Sequence, residues 1–330
     1  LRSNLDLNAV DSCILTSLVY DLFFDLLPIC YLEGFEKISL VSSNLTWPKN
    51  PKFIYTSNSY DTDEVFKVWT AGKVKNGSDY YIGQHGSGFG VVNNHQDTDD
   101  CFSVSDKFFT WGWSKSTEKS VELFNFKILN KKKRFHIDGG LLLISNSVPS
   151  SIKTYDTYYS FLKDKEIEKA FVKKLPYEIQ KKLLIRLHSE RSNSSFNDNL
   201  MWKNFNSSLV LDHGEIKLEH LISNSRIVIF SYQCTGFLEC LAMNVPTILI
   251  LQGGLQEIDV NAKMSFEKLQ KHNIFFNDPI LAAEHISNNW KTISEWWGHE
   301  SVQDAINDLC FFYSRIETNP IELMKNRLLR

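Results

Sequence analysis

The stretch Arg226-Ile-Val-Ile-Phe-Ser-Tyr-Gln-Cys-Thr-Gly-Phe-Leu-Glu-Cys-Leu-Ala-Met-Asn-Val-Pro-Thr-Ile-Leu-Ile-Leu251 decides how this chain folds. Ile227–Phe230 is a continuous apolar run and reads as a buried strand. Small polar residues follow from Ser231, and a helix is expected over Thr235–Met243. Thr247–Leu251 reads as the next strand. Strands that are apolar throughout, rather than at every second residue, belong in a parallel sheet covered on both faces.

Outward from this stretch the alternation continues. Strands are expected near Leu141–Ser145, Leu183–Leu187 and Ser208–Leu211, with helices over Thr154–Lys174, Glu215–Ser223 and Val260–His272. On the N-terminal side, strands are expected near Ile38–Val41, Phe53–Thr56, Tyr80–Gly83 and Phe108–Trp111, with a helix over Asp61–Lys73. Strands alternating with helices define an α/β chain of doubly wound parallel sheets. The polar, basic segment Asn130–Asp138 separates the two series, so domains are expected at 1–130 and 131–330. The tail Ile293–Arg330 reads as helical and is expected to pack across the fold through Trp296, Trp297, Leu309, Phe311 and Phe312. No internal repeat of short fixed period and no low-complexity tract interrupts the pattern.

Composition agrees with two globular domains. The chain has 330 residues, 43 % hydrophobic and 13 % aromatic, with 36 basic against 39 acidic side chains and a net charge of −3. That balance excludes a nucleic-acid binder driven by charge, and 15 Gly with 8 Pro exclude a disordered or fibrous chain. Six cysteines, none in a C-x-x-C pair and only Cys234 and Cys240 close together, read as buried thiols in a reducing cytoplasm. The chain starts at Leu1 with no charged leader, so no signal peptide is expected, and its first residues are expected to belong to a longer parent. Cys13–Phe35 fails as a membrane span because Asp21, Asp25 and Pro28 interrupt it. Leu15, Leu18, Val19, Leu22, Phe23 and Leu26 instead form one helical stripe, expected to pack in a core.

Three segments carry candidate chemistry. Gly83-Gln84-His85-Gly86-Ser87-Gly88-Phe89-Gly90 follows a strand, where ligands of open α/β sheets bind. There His85 is a candidate general base, phosphate donor or orienting group, against the alternative of a purely structural turn. The glycine spacing does not match the dinucleotide-binding pattern, and no Walker A motif occurs. Ser57 and Asn58 follow another strand and are candidates for polyol hydrogen bonds, whereas Asp61 with Glu64 fits a capped helix start. The third segment is the helix start at Thr235. Its free N–H groups, with Ser231 and Thr235, suit an anion, and Glu239 one turn on suits a ribose. An ordinary helix capped by Thr235 fits the same residues. The D-x-D triplets Asp61–Asp63 and Asp97–Asp99 are explained by a helix start and a polar loop, so no metal is expected.

Taken in order, these segments resemble a known family. Ser105-Asp106-Lys-Phe-Phe-Thr-Trp111-Gly112-Trp113, Leu183-Leu-Ile-Arg186-Leu-His188 and Ser231–Thr247 resemble GT-B glycosyltransferases of bacterial capsule and O-antigen synthesis, whose C-terminal domain binds nucleotide. The series Asn58, Lys67, Trp69, Gln84-His85-Gly86 and Trp111-Gly112-Trp113 resembles the spirochaete-type surface-carbohydrate transferases, with a more distant likeness to capsule Kdo transferases. The resemblance spans about Pro51–Leu251. Ser87 stands where the family has a further glycine, and the N-terminal half is shorter than in the family, so an incomplete acceptor domain is expected.

The resemblance implies two facing Rossmann-like domains and transfer of a sugar from a nucleotide-activated donor to a surface glycan. It implies Arg186, Ser231, Tyr232, Thr235 and Gly236 at the donor phosphate and Glu239 at the ribose. His85 is the first choice for proton transfer or oxyanion work, ahead of Asp106 and Asp61, with Ser57, Asn58, Gln84 and Gly86 on the substrate. No metal cofactor is implied, and the expected location is cytoplasmic, with peripheral contact to the inner membrane. Two rivals remain open here: a nucleotide-sugar epimerase of the same architecture, and a non-catalytic nucleotide- or glycan-binding module.

Overall fold

The computed structural model describes residues 18–19, 22–23, 25–93, 95–129, 135–146, 155–187 and 198–328. Leu15 of the expected N-terminal stripe, the start of the basic segment and His188 lie outside the described residues. The chain forms two compact units, one from Leu1–His85 with Cys101–Phe108, the other from Gly86–Asp100 with Phe109–Arg330.

In the first unit, β1 (Phe53–Thr56) and β2 (Asp79–Gly83) run parallel, with Ile54 opposite Tyr80 and Thr56 opposite Ile82. The helix Glu64–Lys75 joins them and packs on the helix Phe35–Ser43. Its N-cap is Asp63, whose carboxylate accepts the Phe66 N–H at 2.9 Å, so the cap falls two residues after the expected Asp61. Trp47, Phe66, Trp69 and Tyr80 form an aromatic cluster against this helix, Trp47 and Trp69 meeting edge to face at 5.1 Å. β3 (Lys107–Thr110) starts in this unit beside β2.

Two N-terminal expectations are corrected. Ile38–Val41, read as a strand, lies inside the helix Phe35–Ser43. A four-residue apolar run fits either element, and packing against a second helix decides for the helix. Leu18, Val19, Leu22, Phe23 and Leu26 are exposed, not buried in a core. A helical stripe says which face is apolar, and leaves open whether anything covers it.

The second unit contains the end of β3, β4 (Ser120–Glu122) and a six-stranded sheet. Its strands are β5 (Gly140–Ile144), β6 (Leu183–Arg186), β7 (Val210–Asp212), β8 (Ser225–Phe230), β9 (Thr247–Ile250) and β10 (Phe275–Phe276). The order is β10-β9-β8-β5-β6-β7, with every neighbouring pair parallel. Counted from β5, this is the 3-2-1-4-5-6 order of the doubly wound nucleotide-binding fold, and the strand order reverses between β5 and β8. Leu141, Leu143, Ile185, Ile227, Ile229 and Ile248 fill one side of the core with Phe171, Trp202 and Ile286.

In the helix Glu300–Tyr313, residues Val302, Ala305, Ile306, Leu309, Cys310 and Tyr313 are buried. Phe311 and Phe312, expected to pack with Leu309, are exposed because they fall outside this stripe. Trp297 is buried as expected, and its indole N–H donates to Asn244 Oδ1 at 2.5 Å.

Candidate functional site

The parallel register of β1 and β2 brings Ser57-Asn58 and Gly83-Gln84-His85 to one end of the first unit's sheet. Gly83 is required there. A Cβ at this position would lie 1.9 Å from the Tyr55 hydroxyl, which bonds to the Ser57 side chain and has its pKa raised by burial. Gln84 is buried, His85 is half-buried, and the Tyr60 ring centre lies 6.3 Å from the imidazole. Asn58 precedes a single helical turn, Ser59–Thr62, that carries an exposed Asp61. Asp106 stands elsewhere. Its carboxylate accepts the Tyr80 N–H at 2.7 Å while its own N–H donates to Tyr80 O at 2.8 Å, so it clamps the start of β2, at the end remote from His85.

In the second unit, the loop that begins at Gly86 lies against the start of the helix Thr235–Ala242. The Ser87 N–H donates to Thr235 Oγ1 at 3.2 Å, Ser87 Oγ donates to Gln233 Oε1 at 3.0 Å, and Gln233 Nε2 donates to Ser87 O at 3.1 Å. Ser87 thus fastens the loop through its backbone and its side chain. Cys234 occupies the N-cap position and Thr235 is the first helical residue, which corrects the reading of Thr235 as the cap. Burial pushes the Cys234 thiol up to about 11, against the pull of the Phe237 and Gly236 N–H groups and Tyr232, with the Glu239 charge adding to the rise. Glu239 lies one turn into this helix. Gly236 allows the Phe230 ring to approach to 3.1 Å of its would-be Cβ.

A polar cluster that sequence reasoning missed occupies the reversal point between β5 and β8. Glu168, on the helix Tyr155–Lys174, accepts from Ser145 Oγ at 2.7 Å, from the Asn146 N–H at 2.9 Å and from Ser231 Oγ at 2.5 Å. Lys165 Nζ lies 3.0 Å from the same carboxylate and also donates to Ser145 Oγ and Asn146 O. Both charged side chains are fully buried, at 1 % and 0 % exposure. One carboxylate thus ties the loop after β5 to the loop after β8. In sequence, Lys165 and Glu168 look like an ordinary surface i,i+3 pair, and only the topology shows that they face inward.

Arg186 does not join this cluster. It sits opposite Asp212 in the β6–β7 register, pairs with that carboxylate, and donates to Ile216 O at 2.7 Å. Of the acid triplets, Asp63 caps a helix and Asp99 pairs with Lys115 at 2.5 Å, while the Asp97 side chain lies outside the described residues. Among the described residues, no group of three or more His, Cys, Asp or Glu is placed to hold a metal ion, and no helix is long and apolar enough to cross a membrane.

The parallel order of the second unit's sheet, with a helix start and buried polar loops at its reversal point, defines an α/β protein of the nucleotide-binding type. The family model of LIC12162 family transferases matches residues 1–328, and the chain belongs to that family. No curated protein matches the sequence. Among solved structures, the chain is similar to a variant of the wall teichoic acid polymerase TagF, with 12 % identity, a TM-score of 0.44, and coverage of 89 % of this chain and 84 % of that one. It is also similar to the spinosyn rhamnosyltransferase SpnG, with 9 % identity, a TM-score of 0.42, and coverage of 90 % and 79 %.

Proposed function

We propose that this transferase is a GT-B glycosyltransferase that moves a sugar from a nucleotide-activated donor to a surface glycan of the O-antigen, capsule or lipopolysaccharide kind. In this reading, residues 131–330 bind the donor and residues 1–130 form the acceptor side. The observation that carries it is the helix start at Thr235, which follows the loop after β8 at the reversal point of a 3-2-1-4-5-6 sheet. There the helix dipole and the N–H groups of the first turn favour phosphate, and they favour it more as the leaving group gains charge. Glu239 holds the ribose, and Ser231 and Tyr232 shape the loop, with Ser231 itself held by Glu168.

His85, half-buried beside Tyr60, serves in proton transfer, and Ser57, Asn58, Gln84 and Gly86 position substrate. The reaction runs without a metal cofactor, in the cytoplasm, on an acceptor presented at the membrane. A thermal-shift panel of CMP, UDP and GDP compounds tests the donor site. A ligand present at about 100 times its Kd adds about 2.7 kcal/mol of stability, and Glu239→Ala should weaken that ligand by about 1.5–3 kcal/mol. If no nucleotide or nucleotide sugar stabilises the chain, the reading fails.

A further inference from the structure

Trp111-Gly112-Trp113 has no part in the donor site, yet the second unit invests several interactions in holding it. Gly112 has φ +129°, and a Cβ there would lie 2.5 Å from Phe311 O and 2.9 Å from Phe312 O. The Arg315 N–H donates to Trp111 O at 2.9 Å, Arg315 Nη2 to Gly112 O at 3.1 Å, and Thr110 Oγ1 to Trp113 O at 2.5 Å. Trp113 in turn packs on Gly90, whose φ of +72° and missing Cβ leave room for the indole.

These contacts fix one wall of a cavity of about 1060 Å³, and every residue that lines it belongs to the second unit. Its volume is at the upper end of the roughly 300–1,000 Å³ typical of small-ligand sites. The open aromatic face is that of Phe312, 42 % exposed, with the buried Trp113 and Tyr313 in the wall behind it. Four carboxylates, Asp99, Glu122, Asp259 and Asp308, line the cavity with a single ammonium, Lys115. Asp99 pairs with Lys115, Asp308 with Lys268 and Glu122 with Arg315. Hydroxyl and amide groups of Ser265 and Asn261 complete the polar part. Burial, with Asp259 and Asp308 adding, pushes the Tyr313 phenol up to about 12.

An exposed aromatic face on a fixed wall, beside carboxylate and amide groups, matches a sugar ring, which has an apolar C–H face and an edge of vicinal hydroxyls. Counting their ion-pair partners, the four carboxylates exceed the cations by one, and that negative excess disfavours uronates and phosphates. We propose that this cavity is a glycan subsite that takes neutral or amino sugars and disfavours acidic ones. It deepens the glycosyltransferase reading by naming the acceptor's sugar class, and its binding test needs no donor.

The test titrates the whole chain with maltotriose, the fully deacetylated chitosan trisaccharide and trigalacturonate, read by tryptophan fluorescence and saturation-transfer NMR. The neutral or the amino trisaccharide should saturate, with trigalacturonate at least about fivefold weaker. Phe312→Ala, on the exposed rim, should weaken the best binder at least about threefold with little change in melting temperature. Asp308→Asn should narrow the gap between the amino and acidic trisaccharides. Equal or tighter binding of trigalacturonate overturns the proposal. So does the absence of any binding up to about 20 mM, or an unchanged affinity in both variants. The nucleotide thermal shift is a separate measurement. Sugar binding without nucleotide binding would sink the transferase reading and leave the subsite standing.

Discussion

Replacing Glu168 by Gln should be among the most damaging single substitutions in the second unit. The carboxylate accepts from Ser145 Oγ, the Asn146 N–H, Ser231 Oγ and Lys165 Nζ at 2.5–3.0 Å, and both charged side chains are buried. Gln keeps one acceptor oxygen and turns an N–H₂ towards neighbours that also donate, leaving the Lys165 charge uncompensated. Breaking a buried pair from one side costs about 3–5 kcal/mol, a large part of the roughly 5–15 kcal/mol that holds a native protein together. At about 2–4 °C per kcal/mol, the melting temperature should fall by roughly 6–20 °C. The double variant Lys165→Met with Glu168→Gln removes both charges and should recover at least about half of the loss, because a fully apolar replacement of a buried pair is often near neutral. Guanidinium unfolding followed by circular dichroism measures the parent, Glu168→Gln, Lys165→Met and the double variant, with an unchanged slope as the check on comparability. A single variant within about 1 kcal/mol of the parent, or a double variant as unstable as the sum of its parts, would refute the argument that the pair closes the reversal point.

Asp164, beside this cluster, has its pKa raised to about 6, first by burial, with Glu168 and Glu257 adding and with Lys165 and a 2.5 Å hydrogen bond from Asn146 opposing. A carboxyl that holds its proton more tightly when folded favours folding fully below about pH 4, and that advantage disappears as pH rises through about 6. Asp164→Asn should therefore be more stable than the parent by about 1–3 kcal/mol at pH 7, with the gap closing below about pH 4 in pH-dependent melts. His285 moves the other way. Burial against Phe276 and Trp296 lowers its pKa to about 4, so stability is lost as pH falls from about 6.5 towards 4. His285→Phe should lose about 2 kcal/mol less than the parent between pH 7 and pH 5. Gly112→Ala should cost at least about 3 kcal/mol, because the new Cβ meets two backbone carbonyl oxygens at a positive φ. Gly72→Ala, in the helix Glu64–Lys75 with nothing within 4 Å of its Cβ, should instead gain about 0.5–1 kcal/mol, and the pair of melts tests both.

Much of the second unit could be read from sequence because its strands are buried on both faces. Leu141–Ser145, Leu183–Leu187, Ile227–Phe230 and Thr247–Leu251 all coincide with strands to within two residues at either end, as continuous apolar runs should. β10 was not legible, since Phe275–Phe276 is two residues long and carries no period. The helix start at Thr235 and the glycine-rich loop after β2 were both visible as strand-to-loop transitions. Their supports were not. Ser87 and Gln233 lie 146 residues apart, and Glu168 reaches Ser231 across 63, so no local pattern announces either contact. Asp106, expected as a weaker carboxylate candidate than His85, bonds the Tyr80 backbone across 26 residues, which no local pattern announces either.

Arg186 shows how a cation at a strand end can be committed before any ligand arrives. The β6–β7 register sets it opposite Asp212, whose side chain is only 5 % exposed. Asp212 also accepts the N–H groups of Gly214 at 3.2 Å and Ile216 at 3.3 Å, and Arg186 donates to Ile216 O. Guanidinium and carboxylate therefore shape the turn after β7 together, two strands away from the reversal point between β5 and β8. Arg186→Met should leave Asp212 charged and half-satisfied, costing about 2–4 kcal/mol of stability. Arg186→Lys should recover only part of this, because an ammonium cannot reach both Asp212 and Ile216 O with the geometry of a planar fork. Nucleotide affinity, measured on whichever of the variants stays folded, should change less than about threefold. An affinity loss of tenfold or more at unchanged stability would return Arg186 to the donor phosphate and require its pairing with Asp212 to open on binding.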